Sequence, residues 1–328
     1  MFDGIKIVIT RQIPENGIEM LKEKFKVEIL DGKNMSKNNL VAYATDADGI
    51  VTLLSDPIDR DFISQCRKLK IISNYAVGYN NIDVAAATER KICVTNTPRT
   101  LDETTADFVF ALILGIARRI VEADKFMRSG KFNGWGPLDF LGFDVYGATL
   151  GIIGMGSIGK EVARRGYYGF SMNVIYSDNS INPEDIGFKV TKTDLLTVLK
   201  ESDFISVNVP LTKDTYHLIG EKELKQMKKT AYLINTSRGP VVDEKALLNV
   251  LKNKIIAGAA IDVYEREPEF EKGLEELDNI IMTPHIASAT KRTRELMARK
   301  AAQNIIDFFD GKVPEGAINK EIFSVIKD

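Results

Sequence analysis

The sequence predicts an α/β protein built from two parallel β-sheets, each covered by helices. Three observations carry this expectation. Short β-rich runs alternate with helical patterns through the first hundred residues, and the alternation resumes at Ala148 and runs to Met282. The 328 residues are enough for about two domains.

In the first stretch the expected strands are Ile5–Ile9, Lys26–Leu30, Gly49–Leu53, Lys70–Ser73 and Lys91–Thr95. Apolar residues recur at helical spacing over Pro14–Lys24 and Asp59–Arg67, and Pro14 suits a first helical turn, where its missing N–H would be unpaired anyway. From Thr104 to Arg128 a long helix is expected, apolar on too many sides to be solvated, and therefore a core helix, a spacer or a subunit interface. The loop Ser129–Gly147, rich in glycine and aromatic residues, follows it. The second alternation has expected strands at Thr149–Ile153, Asn173–Tyr176, Phe204–Val207, Ala231–Asn235, Ala257–Ile261 and Ile280–Met282. Helices are expected at Ile158–Arg165, at Asp194–Lys200 with Thr193 as N-cap, and at Glu244–Lys252 behind Asp243. A closing helix, Thr290–Asp310, lies beyond the last strand, and its return to the first domain would place both chain ends there.

Composition narrows the function. Lys and Arg number 44 against 46 Asp and Glu, a net charge of −2, which provides no electrostatic footprint for nucleic acid or an anionic membrane. The longest apolar run, Phe108–Ala117, is about half of the roughly 20 residues a membrane span needs. The start, Met1–Thr10, carries an acid where a signal peptide wants basic residues. Cys66 and Cys93 cannot form a disulfide framework or a four-thiolate zinc site, and His217 and His285 do not have metal-ligand spacing. A cytoplasmic protein without a metal is expected.

Gly154, Gly156 and Gly159 form G-x-G-x-x-G between a strand-like run and a helical one, the context that a dinucleotide turn requires. Gly154 permits the tight turn, Gly156 lets backbone approach a pyrophosphate, and Gly159 lets the helix sit close to the strand. The helix N-terminus, opening at Met155, Ser157 and Ile158, supplies amide donors and a positive dipole end. Asp178 falls nineteen positions past Gly159, where a carboxylate accepts the adenine ribose hydroxyls and repels a 2′-phosphate. NAD(H) is therefore expected, with NADP(H) disfavoured. Three further segments place Arg238, Glu267 and His285 at successive strand ends, where ligands bind in open parallel sheets.

Together with Asn74–Asp83, Val209–Thr212, Asn235–Gly239, Asp262–Pro268 and Pro284-His285, these motifs resemble the D-isomer-specific 2-hydroxyacid dehydrogenase family along essentially the whole chain. Val51–Asp56, Tyr75–Tyr79 and Phe140–Gly147 look most like its glyoxylate/hydroxypyruvate reductases. The resemblance implies two Rossmann-like/flavodoxin-like domains, one inserted in the other: residues 99–288 binding NAD, and residues 1–98 with 289–328 forming the substrate domain. It implies a homodimer through the Thr104–Arg128 region. Reduction of a 2-oxoacid would use His285 as general acid, Glu267 to orient it, and Arg238 to hold the substrate. Leu53, Val77, Gly78 and Trp135 resemble substrate-site positions, and Val209, Pro210, Thr215, Thr236 and Asp262 resemble positions near the cofactor. His217 does not match the catalytic motif and reads as structural. D-lactate or 3-phosphoglycerate dehydrogenase activity and an NAD-sensing corepressor-like binding module are the alternatives. The end at Asp328 leaves no room for the additional domain common among phosphoglycerate enzymes, and Glu267 stands where formate dehydrogenases carry glutamine.

Overall fold

The computed structural model describes residues 4–30 and 37–326. Met1–Asp3 and Asp328, on which the leader and chain-end expectations partly rest, lie outside them. The chain divides into two compact units, Met1–Leu101 with Ala289–Asp328, and Asp102–Ser288. The crossover expected at Arg99 therefore falls at Leu101–Asp102. Arg99 stays with the first unit, where its guanidinium bonds Glu315 at 2.5 Å.

The first unit runs β1 (Lys6–Ile9), α1 (Glu15–Lys22), β2 (Lys26–Ile29), α2 (Lys37–Ala44), β3 (Gly49–Thr52), α3 (Arg60–Gln65), β4 (Ile71–Asn74), α4 (Val84–Glu89) and β5 (Cys93–Thr95). Its sheet is parallel in the order β2-β1-β3-β4-β5, the flavodoxin-like order. Residues alternate between its faces: Ile7, Ile9, Val51 and Ile71 enter one core, while Val8, Ile50 and Ile72 enter the other. The helices α2 and α4 went unpredicted, because Ala- and Asn-rich segments this short carry little apolar periodicity. Pro14 is the N-cap of α1 rather than its first residue. Both thiols are buried, and burial pushes Cys66 up to about 11 and Cys93 to about 12, so neither is a reactive nucleophile.

The second unit runs α5 (Asp102–Ala117), α6 (Ile120–Arg128), β6 (Thr149–Ile153), α7 (Ser157–Phe170), β7 (Asn173–Ser177), β8 (Thr191–Lys192), α8 (Leu195–Glu201), β9 (Phe204–Val207), α9 (Glu221–Leu224), β10 (Tyr232–Asn235), α10 (Glu244–Lys252), β11 (Gly258–Ile261) and β12 (Ile280–Met282). The order β12-β11-β10-β9-β6-β7-β8 is parallel throughout and reverses direction between β6 and β9. That reversal is the place where doubly wound sheets take ligands.

The single helix expected over Thr104–Arg128 is two. Arg119 adopts φ +54, Phe143 N–H reaches back to the Ala117 carbonyl at 2.9 Å, and Arg119 is paired with Glu122. The returning loop thus caps α5 and turns the chain. In α8 the cap is Asp194, whose carboxylate accepts Thr197 N–H at 2.7 Å, rather than Thr193.

The last helix, α11 (Lys291–Phe309), is capped by Thr290 and packs on α1 and β4 of the first unit. The contact is close: a Cβ on Gly17 would lie 2.6 Å from the Ala298 carbonyl oxygen. Gly17→Ala should therefore destabilise the first unit by about 1–3 kcal/mol in urea titrations.

Candidate active site

In the second unit the glycine turn leaves β6 at the sheet's reversal. Gly154 sits at φ +90, a region other residues seldom enter, and a Cβ there would press on Val209 Cγ1 at 2.8 Å. Val209 thus lies beside the turn. A Cβ on Gly159 would strike the Gly154 carbonyl, so close helix–strand packing explains that glycine. Gly156 is different. Its φ of −66 suits any residue, and a Cβ there would meet nothing within 4 Å. Neither conformation nor packing within the chain demands glycine at 156, which leaves the close approach of a ligand to an exposed helix N-terminus. Ser157 and Ile158 form the first turn of α7, whose amides have no acceptor one turn earlier. A pyrophosphate fits this cradle.

Met155 is fully buried, and its N–H is given to Asp178 Oδ2 at 2.8 Å. Asp178 Oδ1 takes the amides of Ser180 and Ile181 at 2.8 and 2.9 Å. Burial works against the charge on Asp178, but these three amides outweigh it and hold the carboxyl below the usual carboxylate range. The acid is therefore fixed and ionised at the tip of β7. Three of its roughly four acceptor directions are already used, which leaves one for a further hydroxyl donor.

Arg238, Glu267 and His285 follow β10, β11 and β12, three strands that lie side by side. Asn235 builds the first turn: its Oδ1 accepts the Ser237 amide and hydroxyl, and its Nδ2 donates to the Arg238 carbonyl at 3.1 Å. The β10 and β11 loops touch, since a Cβ on Gly239 would overlap the Tyr264 carbonyl group. Burial weakens the guanidinium's hold on its proton, and the nearby charge of Glu267 partly restores it. Arginine remains a cation at any physiological pH.

His285 Nδ1 lies 2.9 Å from Glu267 Oε2. Burial raises the Glu267 carboxyl, but His285, the Tyr264 amide and Arg238 together bring it below the ordinary value. Glu267 is thus an ionised acceptor, and Nδ1 must carry the proton between them. That leaves Nε2 as the nitrogen that gains and loses a proton. His285 itself stands at φ +54, with its N–H shared between the Asp262 and Thr283 carbonyls. Asp262 has no exposed surface, and its carboxylate accepts from Thr283 Oγ1, Ile286 N and Ala287 N at 2.6, 2.9 and 2.8 Å. It holds the His285 turn through these bonds. Tyr264 also braces that turn: its hydroxyl donates to the Thr283 carbonyl at 2.9 Å, and burial pushes its pKa to about 12.

The Thr215 hydroxyl donates to the Pro210 carbonyl and accepts the Thr212 amide, closing the β9 loop on itself. Thr236 is half-buried in the turn that Asn235 builds. Sequence reasoning missed Asn235 and Tyr264. An Asn followed by Thr-Ser is a turn signal that could have found the first, whereas nothing local marks the second.

In the first unit, three successive carbonyls after β4 are tied down. Ala76 accepts Thr97 N–H at 2.9 Å, Val77 accepts Asn96 Nδ2 at 2.8 Å, and Gly78 accepts Asn74 Nδ2 at 2.8 Å. A trans peptide points its N–H opposite to its C=O. The amides of Val77, Gly78 and Tyr79 therefore each point away from the donor that holds the preceding carbonyl. Leu53, after β3, gives its N–H to Asp56 and accepts Asn81 Nδ2, which binds the two loops together. Trp135, in the loop after α6, is 84% exposed. Among the described residues no cluster of His, Cys, Asp or Glu could hold a metal ion, and no helix is long and apolar enough to cross a membrane.

Residues 110–287 match the family described as D-isomer specific 2-hydroxyacid dehydrogenase, NAD binding domain. The chain is 50% identical to a glyoxylate reductase of Thermococcus litoralis over 327 residues, 97% of this chain and 98% of that one. A Thermus thermophilus protein of known structure superposes with a TM-score of 0.90 at 37% identity, covering 96% of this chain and 100% of its own. An NADPH-dependent glyoxylate/hydroxypyruvate reductase from Sinorhizobium meliloti, solved with NADP and malonate, superposes at 0.87 with 30% identity, over 97% and 98% of the two chains.

The open space at Gly156 sets up a clean test. Gly156→Val should weaken NADH binding, measured by calorimetry, by about 100-fold or more, since the side chain fills the phosphate cradle. Stability in urea should fall by no more than about 1 kcal/mol, the scale of a lost N-cap, because a Cβ there meets no protein atom within 4 Å.

Proposed function

Since the chain belongs to the D-isomer specific 2-hydroxyacid dehydrogenase family, and so is an oxidoreductase that reduces a 2-oxoacid with a nicotinamide cofactor, we propose that its substrates are glyoxylate and hydroxypyruvate and that NADH is its preferred reductant. The observation that carries the chemical reading is the 2.9 Å contact between His285 Nδ1 and Glu267, on the same sheet edge as the glycine turn. The glyoxylate reductase relative supports the substrate.

A bound nicotinamide supplies the hydride that the keto carbon accepts. The chain's own residues do the rest. With Nδ1–H held by Glu267, protonated His285 presents Nε2–H to the carbonyl oxygen and transfers that proton as negative charge develops there. In the reverse direction the bare Nε2 takes the proton from the hydroxyl. Glu267 keeps the ring from turning and stabilises the imidazolium. Arg238 offers a planar fork to the substrate carboxylate and draws electron density from the carbonyl. In the first unit, the Val77 and Gly78 amides, beside Leu53, are proposed as donors to a carboxylate. The S. meliloti enzyme is NADPH-dependent, so cofactor choice here rests on Asp178, whose fixed negative charge opposes a 2′-phosphate.

The homodimer is proposed on the exposed apolar side chains of Ile120, Met127, Phe132, Trp135, Leu138 and Leu141, which gather on α6 and the loop after it. A cytoplasmic location and the absence of a nucleic-acid partner remain part of this reading, supported by the balanced charge.

Steady-state assays of glyoxylate, hydroxypyruvate, pyruvate and 3-phosphohydroxypyruvate with each reduced cofactor should rank the first two highest and NADH above NADPH. His285→Gln should lower kcat by about 100- to 10,000-fold with little change in NADH affinity. NADH binding without turnover of any oxoacid would favour the corepressor-like module instead. Separately, sedimentation of Leu138→Asp should show monomer where the parent protein sediments as a dimer, and Trp135→Ala should alter the ratio of glyoxylate to hydroxypyruvate kcat/KM.

A further inference from the structure

The chain has two histidines, and both stand in the left-handed region, His285 at φ +54 and His217 at φ +49. Both also face a glutamate of the same loop. His285 meets Glu267, and His217 Nε2 lies 3.0 Å from Glu265 Oε1, two residues earlier. His217 ends the β9 loop that carries Val209, Pro210 and Thr215. Its backbone N–H donates to the Pro240 carbonyl at 2.8 Å, two residues past Arg238. Tyr216 stacks on its ring at 4.1 Å between centroids. One partly buried residue therefore touches the loops following β9, β10 and β11.

Glu265 is firmly seated. Its Oε1 also accepts the Glu244 amide at 2.9 Å, and its own amide donates to the Glu244 carboxylate, which takes the Glu271 amide as well. Burial pushes the Glu244 carboxyl up, its two amide donors oppose that, and the charges of Glu265 and Glu271 add to it. Asp243 completes the surroundings, with Oδ2 at 3.9 Å from His217 Nδ1. Because Glu265 Oε1 is an acceptor toward Glu244, His217 Nε2 is the donor across the 3.0 Å contact. The segment between Glu265 and Glu271 is thus clamped to α10 at both ends, and Glu267 projects from its middle toward His285.

We propose that His217 is a positioning residue: its bond to Glu265 locks the β9 loop to the loop that carries Glu267, so that the cofactor side and the proton-transfer couple keep one geometry. This inference rests on the reading of Glu267 and His285 as that couple. A displacement of about 1 Å in such a couple suffices to slow a reaction tenfold or more.

Asparagine tolerates φ > 0 but is too short to reach Glu265, so His217→Asn removes the bond while keeping the backbone shape. Glutamine reaches as far as the imidazole Nε2. His217→Asn and Glu265→Ala should each lower kcat about tenfold, with KM for the oxoacid within about twofold of the parent. The double variant should be no slower than either single, since both remove one interaction. His217→Gln should return kcat to within about threefold of the parent, a rescue that a purely bulk-packing role would not produce. Melting temperatures and NADH binding, measured on every variant, separate misfolding from misplacement. His285→Gln runs alongside. If it keeps full turnover, the couple itself is misassigned and the inference falls with it. If it is inactive while His217→Asn and Glu265→Ala keep kcat within twofold, or their effects multiply in the double variant, the positioning role is overturned.

Discussion

Asp262 has no exposed surface, yet its carboxylate meets the Thr283 hydroxyl and the Ile286 and Ala287 amides while its carbonyl takes the His285 N–H. A buried carboxylate is tolerated only where donors replace the lost water, and here the donors all come from the turn that presents the histidine. Burial and geometry are therefore one constraint. The left-handed backbone at His285 costs conformational energy, and the fixed acceptor beneath it holds the turn in that shape. From there the arrangement passes outward, from His285 to Glu267, from Glu267 to the Tyr264 amide, and from the Tyr264 hydroxyl back to Thr283. The ring closes on itself, which is how two separate loops can keep an imidazole in one orientation.

The second unit's sheet supplies the platform. Its order reverses between β6 and β9, so the loops leaving those strands diverge to opposite faces and open a crevice. The glycine turn and Val209 flank that crevice in direct proximity, and the Arg238, Glu267 and His285 turns follow on the next three strands to one side. The glycine turn and the turns of the proposed proton-transfer residues are thereby separated along the sheet edge, with the β9 loop between them. The first unit uses the same logic in another form. There the carbonyls of Ala76, Val77 and Gly78 are held by the Thr97 peptide, Asn96 and Asn74, which fixes the orientation of the peptides after β4.

Much of this was legible along the chain because parallel sheets bury both faces. Runs such as Ile7-Val8-Ile9 and Leu150–Ile153 must then be apolar without interruption, and their alternation with helices identifies the fold class. The elements that escaped notice were short and without a clear apolar period: α2, α4, α9 and the two-residue β8, with a burial pattern exposed at both positions. The break in the helix expected over Thr104–Arg128 was hidden for a different reason. Neither a glycine nor a proline marks it; the loop residues Gly142 and Phe143 return and take over the end of α5.

The site divides along the same line. The sequence by itself pointed to a dinucleotide turn, through the glycines followed by Asp178, and its resemblance to a known family, carried by the three polar strand-end segments among other motifs, implied the class of chemistry. It could also limit the proton carrier to two histidines. Only the tertiary structure decided that Asp262 lies beneath His285, that Met155 N–H anchors Asp178, and that His217 bridges three loops. Each of these is a hydrogen bond between residues more than 20 positions apart, and sequence spacing carries no information about which buried donor will find which acceptor. Local pattern reports what a segment can do, and the packing of strand ends decides which segments do it together.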